Sequence, residues 1–336
     1  MAIKKRVVTV FGATGLQGNS VTCSLLRDQV SNFQVRAITR NPESEKCQVL
    51  HKLGVEVVKG NGWNKDDMQR AFSGSWGAFV NTNSDDPIFS QPDGPTEFDL
   101  GKIVVDGIIA GGVKNLVLSS MRPAGEATGG RMKIKTMDMK ASIAEYAQET
   151  GQFETIAFIH TGWYFELFLS EKMAKLHQGF PYFPDAEGYL SLHLPKWGND
   201  SGAPFIAIVD DFGDLVHGIL LDPKRWNGKT IQAVSDIQSL PQFVQTFSES
   251  TGKKARYVPL PSWQSLGESI PEMEDGRLLF AYGEATNGRY FVEDSCTDVP
   301  LELKKLAAAA QGKDASTVSL ASLSSWFAKK LGTSQA

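Results

Sequence analysis

Apolar and polar positions switch between two periods along the first half of the chain. Val7 to Phe11 is a short, continuously apolar run, which predicts a strand buried on both faces. Val21, Leu25 and Leu26 then follow at helical spacing. The alternation recurs: Gln34–Thr39, Val55–Lys59, Ala78–Asn81, Asn115–Ser119 and Thr155–Ile159 predict strands two to six. Gly101–Ala110 and Lys140–Thr150 predict helices between them. Strands alternating with helices predict an α/β fold, a doubly wound parallel sheet with right-handed crossovers and helices on both faces. After strand six the texture changes. Residues 177–204 hold many Gly, Pro and aromatic residues without a clear period, which predicts loops shaping a pocket above the strand C-termini. Regular patterns then return, with a helix over Asp211–Leu221, a strand over Thr230–Val234, and helices over Leu240–Ser250 and Leu320–Leu331. The second region is therefore expected to interleave with the sheet. No internal repeat is visible.

Chemistry enters at the first strand-to-helix junction. Gly12, Gly15 and Gly18 occupy it, in the context of a Rossmann dinucleotide fingerprint. Gly12 allows a tight turn, Gly15 lets backbone approach a pyrophosphate, and Gly18 lets the helix pack close. The intervening Thr14, Leu16 and Gln17 complete the candidate cofactor loop, with phosphates at a helix N-terminus. The second strand ends in Thr39-Arg40-Asn41-Pro42, with no acidic residue to hold ribose hydroxyls. Arg40 offers a planar fork of donors that suits a 2′-phosphate, so NADP(H) is the expected cofactor. Arg36 lies on the other side of the pleat. Residues 1–160 are the expected NADP-binding Rossmann core, and 161–336 the substrate-binding region, ending in helices.

Composition narrows the class. A net charge of −4 over 336 residues gives no electrostatic case for nucleic acid or an anionic membrane surface. No segment has the apolar length of a membrane span, and the N-terminus lacks a secretory apolar stretch. Lys4-Lys5-Arg6 reads as a solvated strand entry. Three cysteines, odd in number and far apart, imply reduced thiols, a cytoplasmic setting and no metal site. Asn199-Asp200-Ser201 matches a glycosylation sequon that such a setting leaves without meaning.

Residues 7–18, Thr39–Pro42, Phe79-Val80-Asn81-Thr82 and Gly162-Trp163-Tyr164-Phe165-Glu166 together resemble the NmrA-like family of atypical short-chain dehydrogenase/reductases. The resemblance covers nearly the whole chain. It implies a Rossmann domain with a smaller C-terminal substrate region, and cofactor contacts from Asn81 and Thr82. The family includes fungal nitrogen-metabolite repressors, mammalian NADPH sensors, relatives of isoflavone reductases and members acting in fungal specialised metabolism. Resemblance thus speaks to fold and cofactor more than to activity.

Ordinary short-chain dehydrogenases place a Tyr four residues before a Lys. Here Lys140 matches the Lys, and Thr136 stands where the Tyr would be. Threonine is a poor acid at neutral pH, so the usual proton donor is missing. Lys140 is the leading candidate for ribose binding and proton transfer, followed by Tyr164 and His160 at the end of strand six. Ser119 and Ser120 end strand five, and period-two alternation points only one of them at the pocket. Arg122 and Glu126 follow in a Pro/Gly loop. Trp163, Tyr164 and Phe165, with Tyr182, Phe183 and Trp197, suggest an aromatic lining for a flat or cationic small-molecule substrate. Three functions fit: an NADPH-dependent reductase of a carbonyl or imine, an NADP(H)-sensing regulator with a protein partner and no turnover, or a redox-neutral cyclase working through an iminium with Glu126 or Glu166 as acid.

Overall fold

In a computed structural model, residues 5–198, 202–270 and 273–332 are described. The sequon at 199–201 and Lys4 lie outside the described residues. In chain order the strands are β1 (Arg6–Phe11), β2 (Phe33–Thr39), β3 (Glu56–Lys59), β4 (Gly77–Val80), β5 (Asn115–Ser120), β6 (Thr155–Thr161), β7 (Trp163–Tyr164), β8 (Leu190–Leu194), β9 (Ala203–Ile206), β10 (Thr230–Ala233), β11 (Asp236–Gln238) and β12 (Ala255–Pro259). The helices are α1 (Leu16–Leu26), α2 (Glu45–Lys52), α3 (Lys65–Phe72), α4 (Glu97–Ala110), α5 (Ala124–Ala127), α6 (Lys135–Glu149), α7 (Glu171–Leu176), α8 (Gly213–Leu221), α9 (Leu240–Thr251), α10 (Glu274–Ala285), α11 (Asp298–Ala310) and α12 (Leu323–Leu331).

Among the described residues, seven parallel strands form the main sheet in the order β3-β2-β1-β4-β5-β6-β10. The order reverses at β1 and β4, which opens a crevice beyond the strand C-termini. The central strands β4, β5 and β6 are buried along their whole length, as their unbroken apolar runs predict. One face packs Val21, Leu215, Ile219 and Leu303 against the sheet, bringing in α1, α8 and α11. The other packs Phe72, Val104, Ile108 and Ile143, from α3, α4 and α6. A third, aromatic-rich core holds the later region together around Phe205, Phe243, Phe247 and Phe327. None of the described helices is long and apolar enough to cross a membrane.

Several helices differ from their predicted bounds, for local reasons. Helix α4 starts at Glu97, because Thr96 and Asp99 form a capping box. Helix α6 starts at Lys135, since the Asp138 carboxylate accepts the Ile134 N–H at 2.9 Å and the Ala124 N–H at 2.7 Å. A π turn over Ile208–Phe212 precedes α8. The described residues of 177–204 hold more regular structure than their texture predicts. They hold β8, which pairs in parallel with β12, and the start of β9, which pairs with β11 and β7. Each is five residues or fewer, too short for a period to show, and each is stabilised by a partner distant in the chain.

Candidate functional site

The glycine loop leaves β1 through Gly12, whose φ of +84° is a left-handed conformation. A Cβ on Gly12 would stand 2.6 Å from the Asn81 carbonyl oxygen. A Cβ on Gly18 would stand 2.3 Å from the Gly12 carbonyl oxygen, so the third glycine seats α1 against the loop. Gly15 is different. A Cβ there would meet only the Gly12 carbonyl oxygen, at 3.3 Å, with open space beyond. Gly15 is also the N-cap of α1, with no side-chain cap and no acidic residue in the first turn. The N-terminal N–H groups and dipole are left for an anion.

Two cations follow β2, and one of them reaches this loop. Lys46 Nζ donates to the Thr14 carbonyl at 3.2 Å. The sequence reading missed it, although its place early in the helix after strand two was the available signal. The Arg40 guanidinium is 73% exposed and lies 3.7 Å from Asp86 Oδ2, a pairing weak enough to yield to a stronger anion. Arg36 is structural. It bonds the Ala71 and Ser73 carbonyls at 2.9 Å and pairs with Glu56 at 3.0 Å.

A cavity of about 360 Å³ opens where the sheet meets the later region. Its lining includes Gln17 of α1, Ser119 and Ser120 of β5, and Thr136 and Lys140 of α6. Both serines contribute, contrary to the expectation from alternation, because the cavity caps the end of β5 instead of lying along one face. Ser120 Oγ donates to the Lys140 carbonyl at 3.0 Å. Lys140 Nζ donates to Glu97 Oε1 at 2.9 Å, the Thr82 carbonyl at 2.9 Å, Thr82 Oγ1 at 3.1 Å and Asn81 Oδ1 at 3.3 Å. The Thr82 hydroxyl also donates to Glu97. All four partners of Nζ are acceptors, which suits an ammonium. Glu97 was missed because it follows an N-cap threonine and so reads as an ordinary helix start.

Tyr164 is also in the wall, and its hydroxyl accepts a hydrogen bond from Gln17 Nε2 at 2.6 Å. Burial raises its pKa, so the phenol stays protonated. His160 does not reach the cavity. It is buried within β6, and desolvation lowers its pKa to about 4, so it is neutral at pH 7. Glu126 is exposed on α5, away from the wall. Glu166 is engaged elsewhere: its carboxylate accepts the N–H groups of Ile208 at 3.2 Å and Val209 at 2.8 Å, capping the π turn. Arg122 bonds the Phe291 carbonyl at 2.8 Å and is absent from the wall.

The aromatic expectation splits in the same way. Trp163 lines the cavity, with Trp197 packed edge-on behind it at 5.1 Å. Phe165 is core, and Tyr182 and Phe183 lie outside the wall. Phe168, Phe280 and Tyr290 complete the lining. Sequence reasoning passed over these three because they come from distant elements that only the fold brings together.

The family model for the NmrA-like family matches residues 4–310. An NmrA-like family domain-containing oxidoreductase of Aspergillus flavus, lnbB, is 49% identical over 325 residues, covering 96% of this chain and 97% of its own. Among solved structures, the negative transcriptional regulator NmrA in complex with NADP is similar at a TM-score of 0.70 and 20% identity, covering 97% of this chain and 95% of its own. The triphenylmethane reductase of Citrobacter sp., complexed with NADP(H), is similar at a TM-score of 0.68 and 20% identity, covering 97% of this chain and 100% of its own.

The buried Glu97–Lys140 pair makes a stability prediction. Side-chain exposures are 3% for Glu97 and 13% for Lys140. Lys140→Met leaves a buried carboxylate without its cation and is expected to cost about 3–5 kcal/mol. Adding Glu97→Gln removes that charge and should recover a large part of the loss. Urea unfolding of the two variants checks this; a double variant no more stable than Lys140→Met contradicts it.

Proposed function

This chain belongs to the NmrA-like family, and we propose on that premise that it is an NADP(H)-dependent reductase of a carbonyl or imine substrate in fungal-type specialised metabolism. The observation that carries this reading is the continuity of one cavity. It is lined by Gln17, on the helix of the glycine loop, by Ser120, Thr136 and Lys140, and by the aromatic wall. A cofactor on that loop and a small molecule in the cavity would meet beside these polar residues. The related Aspergillus flavus protein, described as an oxidoreductase, supports redox chemistry.

The loop fits a dinucleotide: Gly15 leaves open space at an uncapped helix N-terminus. Gly12, Thr14, Gly15, Leu16, Gln17 and Gly18 would hold the pyrophosphate, Arg40 and Lys46 a 2′-phosphate, and Asn81, Thr82 and Lys140 the nicotinamide ribose. When bound, the cofactor supplies the hydride. The protein supplies position and a proton. Glu97, Thr82 and Asn81 hold the Lys140 ammonium in the cavity wall, and to pass its proton to the substrate oxygen or nitrogen it gives up one of these hydrogen bonds. The Tyr164 hydroxyl, oriented by Gln17, is the second donor. Ser120 holds the first turns of α6 through the Lys140 carbonyl. In this scheme residues 1–160 serve the cofactor and 161–336 the substrate, and free thiols at Cys23, Cys47 and Cys296 suit a cytoplasmic enzyme. The redox-neutral cyclase reading loses support, because neither Glu126 nor Glu166 reaches the cavity.

Cofactor preference follows from Arg40. A charged contact to the 2′-phosphate is worth about 1.5–3 kcal/mol, on the order of tenfold to a hundredfold in affinity. Calorimetric titration is expected to show NADP⁺ binding more tightly than NAD⁺, with most of the preference lost in Arg40→Ala and the remainder held by Lys46. Gly15→Val should keep the fold and lose both cofactors. Equal affinities in the wild type, or normal binding by Gly15→Val, contradict the assignment.

Turnover tests the proton donor. With NADPH and a panel of aryl ketones and cyclic imines, loss of the nicotinamide absorbance and product mass are followed together. The Lys140→Met/Glu97→Gln double variant is expected to lose about a hundredfold or more in turnover, the scale of a positioned acid. Thr136→Ala should change it far less. An active double variant and an inactive Thr136→Ala would refute Lys140 as the donor. A regulator would consume no NADPH with any member of the panel.

A further inference from the structure

One glycine in the cavity wall is not required by the packing around it. Gly18, Gly101, Gly107, Gly213, Gly218 and Gly283 stand within the longer helices, and a Cβ on any of them would lie 2.1–2.5 Å from a neighbouring atom. Close packing demands glycine at each. Gly276, in the first turn of α10, differs. A Cβ there would find Met273 Cε at 3.6 Å and Leu266 Cδ2 at 3.9 Å, both ordinary van der Waals distances. Its backbone is not left-handed, so no conformation reserved for glycine is needed. Alanine would fit, and alanine is the better helix former. The missing side chain instead matches the position. Gly276 lines the cavity and is partly exposed. Met273, Leu279 and Phe280 stand three or four residues from it, on the same face of α10, and line the cavity too. Leu266, its other neighbour, is also a wall residue. The absent side chain thus leaves a slot beside Leu266 and Met273, floored by helix backbone. The surroundings suit an apolar ring. Met121, Met173 and Met273 are wall residues, and thioethers adapt in shape and make favourable contacts with aromatic edges. Among the described residues no carboxylate lines the cavity, and Lys140 is already paired with Glu97. Burial lowers the pKa of His177, also in the wall, to about 4, so its imidazole is neutral near pH 7. A cation held here would be desolvated without a counter-charge.

We propose that Gly276 is a specificity-determining residue, whose missing side chain opens a slot where an uncharged substrate seats an apolar ring against the backbone of α10. The substrate then has two parts, a reducible carbonyl or neutral imine and a separate apolar ring beside Leu266 and Met273. A side chain at 276 longer than that of alanine fills the slot and favours compounds without the ring. This inference rests on the reading of the cavity as the substrate site of a reductase. It names the class of that substrate and the residue that selects it.

The test uses cyclohexanone and 4-phenylcyclohexanone, which share the carbonyl and differ by one ring. Both are titrated calorimetrically into the full-length wild type, Gly276→Ala and Gly276→Leu, with and without NADP⁺. The wild type is expected to favour the phenyl compound by about tenfold to a hundredfold, the scale of burying one aromatic ring. Gly276→Leu should bring the ratio of the two affinities close to one, and Gly276→Ala should lower it by a smaller factor. Gly276→Ala should also be at least as stable to urea as the wild type. Gly283→Ala on the same helix, whose Cβ would stand 2.4 Å from the Trp197 ring, should be less stable. An unchanged ratio in Gly276→Leu overturns the proposal, whether both compounds bind normally or both weaken equally. So does a wild type that does not favour the phenyl compound. A Gly276→Ala variant less stable than the wild type also overturns it, and this arm stands even if Gly276→Leu fails to fold. A chain that shows the expected ratios but consumes no NADPH with any ketone or imine of the turnover panel keeps the slot and overturns the reductase reading instead.

Discussion

The site depends on one buried ion pair, between Glu97 at the start of α4 and Lys140 on α6. Around it, the end of β4 is drawn in through Thr82 and Asn81. Asn81 reaches further. Its N–H donates to the Phe11 carbonyl at 3.3 Å, and its own carbonyl lies so close to Gly12 that no side chain fits there. The glycine loop, the middle of the sheet and two helices are thus registered against one ammonium. Such a pair adds little net stability, since desolvating both charges offsets most of their attraction. Its contribution is positional. Removing either partner exposes the full cost of burying the other, so the arrangement persists as a unit.

The cavity divides into two chemical environments because two cores meet there. The sheet side delivers polar groups at strand and helix ends, where backbone hydrogen bonding stops: Gln17, Ser120, Thr136 and Lys140. The later region delivers the aromatic and aliphatic wall. A polar reaction end within an apolar surround strengthens electrostatic interactions with a reacting group and excludes water. It also explains why Tyr164 remains a phenol and His177 a neutral imidazole, since burial disfavours the charged form of each.

Much of the fold was legible because the strands of the main sheet are apolar runs separated by helical periods. The glycine loop was legible because its residues are local in sequence. Lys140 stood out through its spacing from Thr136. Glu97 did not, because its role comes from a helix start that the chain brings to α6 only in three dimensions. His160 and Glu166 looked suitable by residue type and position. The fold buries the first inside β6 and engages the second with the N–H groups of the π turn. Strands β8 and β12 escaped notice because each is five residues long and finds its partner about sixty residues away.

The central claim is that the glycine loop and the apolar cavity form one continuous site joined at Lys140. A crystal structure of the protein with NADP⁺ tests it most directly. The account predicts density beginning beside Gly15 at the N-terminus of α1 and ending in the cavity, next to Ser120 and Lys140. A cofactor bound elsewhere, or one whose nicotinamide end stays out of the cavity, would contradict it.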